Sequence, residues 1–100
     1  MAKILAGQTI VVAGKDQLFC DLGGEAAILN AKTGMYYGLD PVGARVWSLI
    51  QQPRTVQNVH EALLSEYDVE PDRCERDLLA LLNQLLAEGL IEVRDHTATR

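Results

Sequence analysis

Cysteine and histidine are the side chains that most often hold metal ions or attack substrates, and the sequence contains two of each. Cys20 and Cys74 lie far apart in the chain, and neither has a second thiol nearby. His60 and His96 also lack a neighbour at the spacing of a metal-ligand pair. We therefore expect two buried, reduced thiols, and neither a metal site nor a cofactor.

The other polar residues do not form the pattern of a catalytic site. No nucleophile is paired with a base, and no glycine-rich loop suited to a phosphate is present. No predicted helix carries histidine or cysteine ligands three or four residues apart. We expect a protein that is not an enzyme and that works by binding.

Two adjacent tyrosines indicate where such binding takes place. They lie in "GMYYGLD", residues 34–40, a stretch with the composition of a β-strand. Neighbouring residues of a strand point to opposite faces, so at most one tyrosine faces the core. Tyr37 shares its parity with Leu39 and is expected inside, with Tyr36 on the opposite face. This holds unless Gly38 marks a bulge.

Composition and charge limit the class of protein. The chain has 100 residues, 48% of them hydrophobic, which is enough for one compact domain. The formal net charge of −5 opposes nucleic-acid binding, which usually needs a basic face. No run of about 18 apolar residues could span a membrane. The N-terminal stretch is too short and too broken for a signal peptide, so we expect a cytoplasmic location.

Strand patterns dominate the first forty residues, and helical periodicity follows them. Turns are predicted at "GKDQ", at Gly23-Gly24 and at "AKTG", which makes the strand at 35–39 an edge strand of an antiparallel meander. Helices are predicted to begin at Asp40-Pro41, at Thr55 and at Asp72, where Glu75 completes a capping box. The strand segments are 9–13, 18–22, 25–30, 35–39 and, after the helices, 90–93.

These elements predict an α+β domain in which a three-stranded antiparallel sheet is followed by three helices, similar to a winged helix. Residues 17–93 form the domain. Residues 1–16 are expected as an arm or an extra strand, and residues 94–100 as a frayed tail.

The third helix, predicted at 72–88, has more leucine than a single core contact requires. One arc of its helical wheel holds Cys74, Leu78, Leu81 and Leu85, and a shoulder on one side adds Leu79, Leu82 and Leu86. Either the small sheet or the N-terminal segment covers that shoulder, or it lines a groove beside the strand at 35–39.

The runs "ILNAKTGMYYGLDPVGARVWSLI" and "EYDV", with the ending "LLNQLLAEGLIEV", resemble the PqqD-like proteins. These are leader-peptide recognition elements of ribosomally made peptide natural products. The resemblance covers about residues 17–93 and is strongest to the stand-alone members from lasso-peptide pathways. It implies that the leader of a precursor peptide adds as a further strand to the last strand of the meander, at 35–39. The leader then lies in a cleft closed by the third helix, at 72–88. The implied partners are that leader, a separate leader peptidase and a cyclase.

The resemblance also implies which residues bind the leader. The receiving edge falls on Met35, Tyr36, Tyr37 and Gly38, and the helix wall falls on 73–86. We expect Leu79, Leu82 and Leu86 to form an apolar pocket, with Tyr36 or Tyr37 as its other wall. The charged rim would be Arg73, Glu75, Arg76 and Asp77, although each of these also fits a solvated helix face.

Other residues are expected to have structural roles. Arg45 is expected to pair with an acidic side chain or to cap a carbonyl, and His60 to face solvent. The expected core residues are Leu29, Leu39, Val46, Trp47 and Leu63.

Three alternatives remain open at this level. A DNA-binding winged helix would use the third helix for recognition, but Arg73 and Arg76 are its only basic residues, against Asp72, Glu75, Asp77 and Glu88. A PqqD-like chaperone could serve a radical-enzyme peptide pathway. An oligomerisation module would pair its edge strand with a second copy, so both a monomer and an edge-paired dimer are compatible with the sequence.

Overall fold

The computed structural model describes residues 7–21 and 26–94 of the chain. Six strands and three helices lie within these ranges. In chain order they are β1 (Ile10–Ala13), β2 (Gln17–Asp21), β3 (Ala26–Asn30), β4 (Tyr36–Leu39), α1 (Pro41–Leu49), β5 (Arg54–Thr55), α2 (Val56–Glu66), α3 (Pro71–Ala87) and β6 (Ile91–Arg94). The predicted α+β class, with antiparallel strands and three helices, is confirmed.

The predicted meander is present as the sheet β2-β3-β4. Its second turn follows the sequence closely, because Gly34 adopts a φ of 75° that favours glycine, and its N–H donates to the Asn30 carbonyl over 2.7 Å. The Asn30 side-chain oxygen accepts from Lys32 N and Thr33 N. The turn predicted at Gly23-Gly24 lies outside the described residues.

The first predicted strand does not join this meander. Instead, β1 is the middle strand of a second sheet, β5-β1-β6, and pairs antiparallel with both neighbours. The "GKDQ" stretch therefore connects two sheets rather than the strands of a hairpin. Val11 and Val12, which point to opposite faces, are both buried. Both faces of β1 therefore carry apolar side chains that the rest of the fold covers.

The start of α1 was well predicted. The Asp40 side chain accepts from Gly43 N over 2.7 Å, and Pro41 occupies the first turn. Gly43 is buried, and a Cβ atom there would lie 3.2 Å from both the Leu39 side chain and Asp40 Oδ1. Glycine therefore lets the start of α1 pack closely on the end of β4.

The start of α3 differs from the prediction. Helix α2 begins as expected, with Thr55 Oγ1 accepting from Asn58 N over 3.0 Å. Helix α3 instead begins at Pro71, and its N-cap residue Glu70 makes no side-chain capping bond. The capping box predicted for Asp72 and Glu75 is therefore wrong, because Asp72 already lies inside the first turn.

The core joins both sheets to all three helices. Of the expected core residues, Leu39, Val46, Trp47 and Leu63 are buried, whereas Leu29 is only half-buried. Leu29 lies opposite Leu18 and Tyr36 in the register of the meander, so it belongs to the sheet face turned away from the core. The largest fully buried side chains are Val11, Ile28, Val46, Ile50, Val56, Val59, Leu63, Leu82 and Leu85.

Candidate functional site

The side of β4 that faces away from β3 is its open edge. Within the described residues, β4 pairs only with β3. Asn30 N donates to the Met35 carbonyl over 2.9 Å, and Tyr37 lies two residues further along the strand. In an antiparallel ladder the bonded pairs alternate, so Tyr37 bonds toward β3. The backbone N–H and C=O groups of Tyr36 and Gly38 therefore point to the open edge.

The two tyrosines lie on opposite faces, as their parity predicts. Tyr36 is 70% exposed, whereas Tyr37 is half-buried opposite Ile28 and packs against the core. Partial burial raises the pKa of the Tyr37 phenol, and the carboxylates of Glu88 and Asp40 raise it further. The register continues without interruption through Gly38, so this glycine is not a bulge. Tyr36 is left available to a partner.

A cavity that we call the α1–α3 pocket lies at the carboxyl end of β4. Its volume is about 580 Å³, within the range of ligand sites. Helix α1, the second half of α2, the α2–α3 loop and the first half of α3 form its walls. The lining residues are Asp40, Val42, Gly43, Val46, Leu63, Tyr67, Asp68, Val69, Glu70, Arg73, Cys74, Asp77, Leu78 and Leu81.

A smaller cavity of about 120 Å³, the tyrosine pocket, lies at the amino end of β4. It is lined by Asn30, Thr33, Met35, Tyr36, Tyr37, Glu88 and Leu90. The α1–α3 pocket contains residues from the start of α3, whereas Glu88 directly follows its end. The α1–α3 pocket therefore lies near the start of α3 and the carboxyl end of β4, whereas the tyrosine pocket lies near the end of α3 and the amino end of β4. We call these two pockets together the groove.

The expected leucine pocket is not part of this groove. Leu82 has no exposed surface, belongs to the core and lines neither pocket, so its contact with a leader stays a prediction. Leu79 and Leu86 are half-buried against the core and line neither pocket. The reason is that α3 packs against β6, so the sheet that contains β1 and β6 covers part of its apolar surface.

The opposite shoulder of α3 faces the groove instead. Asp77 and Arg73 line the α1–α3 pocket there, next to Cys74 and Leu81 from the edge of the apolar arc. Of the predicted α3 residues, Arg73 and Asp77 are thus in the pocket, whereas Glu75 and Arg76 line neither cavity. The sequence did indicate that this side of α3 lies at a binding site. Asp77 and Glu88 border the apolar arc there, and polar groups are expected at the rim of an apolar groove.

The groove offers few reactive groups. Burial raises the pKa of the Cys74 thiol, and Asp77 raises it further, so this thiol remains protonated near neutral pH. Arg73 Nε lies 3.9 Å from Asp77 Oδ2, and both side chains are mostly exposed. No group of three or more histidine, cysteine or acidic residues within 7–21 and 26–94 is placed to hold a metal ion. In the same ranges no helix is long and apolar enough to cross a membrane.

An open strand edge beside a helix-walled groove defines a small α+β domain of the class that can accept an extended peptide as an additional strand. The chain belongs to the PqqD family, because the family model for coenzyme PQQ synthesis protein D matches residues 25–91. No curated protein sequence matches it significantly.

Two solved structures are similar to the chain along most of its length. TbiB1 in complex with the TbiA(beta) leader peptide is 32% identical, with a TM-score of 0.72. The match covers 81% of this chain and 94% of TbiB1. A lasso peptide synthetase B1 complexed with the leader peptide is 23% identical and shares the fold, again with a TM-score of 0.72. That match covers 82% of this chain and 96% of the synthetase chain.

Proposed function

We propose that this protein is a non-catalytic binding protein that captures the leader segment of a ribosomally synthesised precursor peptide. The leader adds as a strand to the open edge of β4 and places side chains in the groove beside α3. The observation that carries this proposal is the open edge itself, beside a groove, in a chain 32% identical to a protein solved with a leader peptide.

The free energy available from strand addition and side-chain burial is sufficient for measurable binding of a leader. The outward N–H and C=O groups of Tyr36 and Gly38 can make up to four backbone bonds, each contributing about 1 kcal/mol net. Two or three apolar side chains buried in the groove would add about 1.5–3 kcal/mol each. Association and ordering oppose this by about 4–15 kcal/mol. The gains sum to about 7–13 kcal/mol, so at the low end of the cost a net gain of up to about 9 kcal/mol gives roughly micromolar affinity. The pockets supply the sequence selectivity, because backbone bonds do not distinguish side chains.

We also propose that the complex serves lasso-peptide maturation. In this role the bound leader is presented to a separate leader peptidase, and a cyclase acts on the released core. Support comes from the similarity to a lasso peptide synthetase B1 complexed with the leader peptide, which covers 82% of this chain. A radical-enzyme partner encoded nearby would instead assign the same binding role to another peptide pathway.

The binding mode can be tested with a synthetic leader, once a short precursor reading frame has been identified among the genes that neighbour this one. Single backbone N-methyl groups are placed along this peptide, and affinity is measured by fluorescence anisotropy. Strand addition predicts that methylation weakens binding at every second position and leaves the alternate positions unaffected. If N-methylation left the affinity unchanged at all positions, strand addition would be excluded. If the unmodified leader did not bind, leader capture would be excluded. Strong, salt-sensitive retardation of random duplex DNA would favour the regulator alternative.

A further inference from the structure

The rim of the α1–α3 pocket is strongly acidic. Asp40, Asp68, Glu70 and Asp77 line it, whereas Arg73 is the only basic residue that does so. Arg73 forms an exposed ion pair with Asp77, with 3.9 Å between Arg73 Nε and Asp77 Oδ2. Asp68 and Glu70 have no ion-pair partner within residues 7–21 and 26–94. The pocket therefore presents an excess of negative charge to whatever enters it.

The interior of the same pocket is apolar. Its floor contains the buried side chains of Val46, Leu63 and Leu78. Two valines are exposed at its rim, Val42 at 41% and Val69 at 46%, and they come from different elements, α1 and the α2–α3 loop. A guest that covered both would remove apolar surface from water on two sides at once.

Building on the function proposed above, we propose that the α1–α3 pocket selects a leader segment in which lysine or arginine stands beside an apolar side chain. The apolar side chain enters between Val42 and Val69. The neighbouring cation lays its aliphatic stem along the rim and places its charge near the carboxylates of Asp68 and Glu70. An acidic residue at the same position of the leader is rejected, since it would meet like charges.

The carboxylates act mainly on selectivity and association rate. They are exposed, so each contributes little to affinity, and salt screens their effect. Opposite charges still steer a basic guest toward the groove and raise its rate of encounter. The net charge of −5 on the whole chain acts in the same direction.

The test is a selection from a library of random peptides displayed on their own messenger RNA, followed by sequencing of the bound fraction. The wild-type protein is compared with the double variant Asp68→Asn/Glu70→Gln. The control is Glu61→Gln/Glu92→Gln, which changes the net charge equally at residues that line neither pocket. Each variant is first shown to keep the wild-type melting temperature.

We expect wild type and control to enrich peptides with lysine or arginine beside an apolar residue, and the double variant to lose this enrichment. A selected peptide should bind the double variant about five- to twentyfold more weakly, with the difference shrinking at high salt. Selected peptides without basic enrichment, or the same enrichment on the double variant, would overturn the inference and leave leader capture intact. Failure to select any peptide, together with no binding of the synthetic leader, would overturn both.

Discussion

Arg45 and Glu66 join helices α1 and α2 through two parallel hydrogen bonds. Arg45 Nε donates to Glu66 Oε1 over 2.8 Å, and Nη2 donates to Oε2 over 2.7 Å. The expectation that Arg45 pairs with an acidic side chain is thus confirmed. Because both helices contribute walls to the α1–α3 pocket, this fork-like pair fixes the distance between them more specifically than a lysine could.

The Arg45–Glu66 pair predicts a pH-dependent stability. The bonds from Arg45 hold the pKa of Glu66 below its ordinary value in the folded protein. A lowered folded-state pKa contributes stability above the unfolded-state value, and this contribution is lost as the pH falls through the folded-state value. Glu66→Gln should therefore lower the melting temperature by a few degrees at pH 7, and the difference from wild type should vanish in acid. Both proteins are melted by circular dichroism across this range, and a constant difference would contradict the role of ionised Glu66.

Proline substitutions in β4 should separate guest binding from folding. Tyr36→Pro removes an N–H that points to the open edge, so the bond ladder to β3 remains and the protein should stay folded. Leader affinity should fall by about two- to tenfold for the lost bond. Tyr36→Ala is the matched control, because it removes the same ring and keeps the N–H.

Tyr37→Pro, one residue further along β4, should instead unfold the sheet, since its N–H bonds toward β3. Anisotropy with the synthetic leader and thermal melting measure the two effects. If Tyr36→Pro and Tyr36→Ala bind equally well, the open edge is not where the leader pairs.

Leu82 should contribute to stability rather than to binding. It is fully buried, so Leu82→Ala should lower the free energy of unfolding by about 2–5 kcal/mol. Urea denaturation measures this loss, and leader titration of the folded variant should give a Kd close to that of wild type. A loss of affinity without a loss of stability would place Leu82 in the groove after all.

Alkylation of the two thiols should report on pocket occupancy. Cys74 lines the α1–α3 pocket, whereas Cys20 lies on β2 and lines neither pocket. Iodoacetamide should modify Cys74 slowly at neutral pH and faster as the pH rises, because its pKa is raised. Bound leader should slow this reaction severalfold and leave Cys20 unaffected.

The single variants Cys20→Ser and Cys74→Ser assign each rate, which mass spectrometry measures. Equal protection of both thiols would mean that the leader stabilises the whole fold. Absence of protection at Cys74 would place the leader outside the pocket.

Local sequence signals determined much of this fold. Gly34, Asp40-Pro41 and Thr55 mark a turn and two helix starts through the backbone and capping groups of their close neighbours in the chain. The alternation of Tyr36 and Tyr37 is equally local, because the strand itself sends adjacent side chains to opposite faces. Such features could be predicted without knowing any distant contact.

Only the tertiary structure decided which surfaces meet. The helical wheel of α3 gave a wide apolar arc, but in the fold α3 packs against β6 and Leu82 is buried, whereas the pocket is lined at Cys74 and Asp77. In the same way, β1 pairs with β6 from the far end of the chain instead of joining the neighbouring meander. Periodicity fixes the direction of each side chain relative to its own element, whereas the element packed against it depends on contacts between residues far apart in sequence.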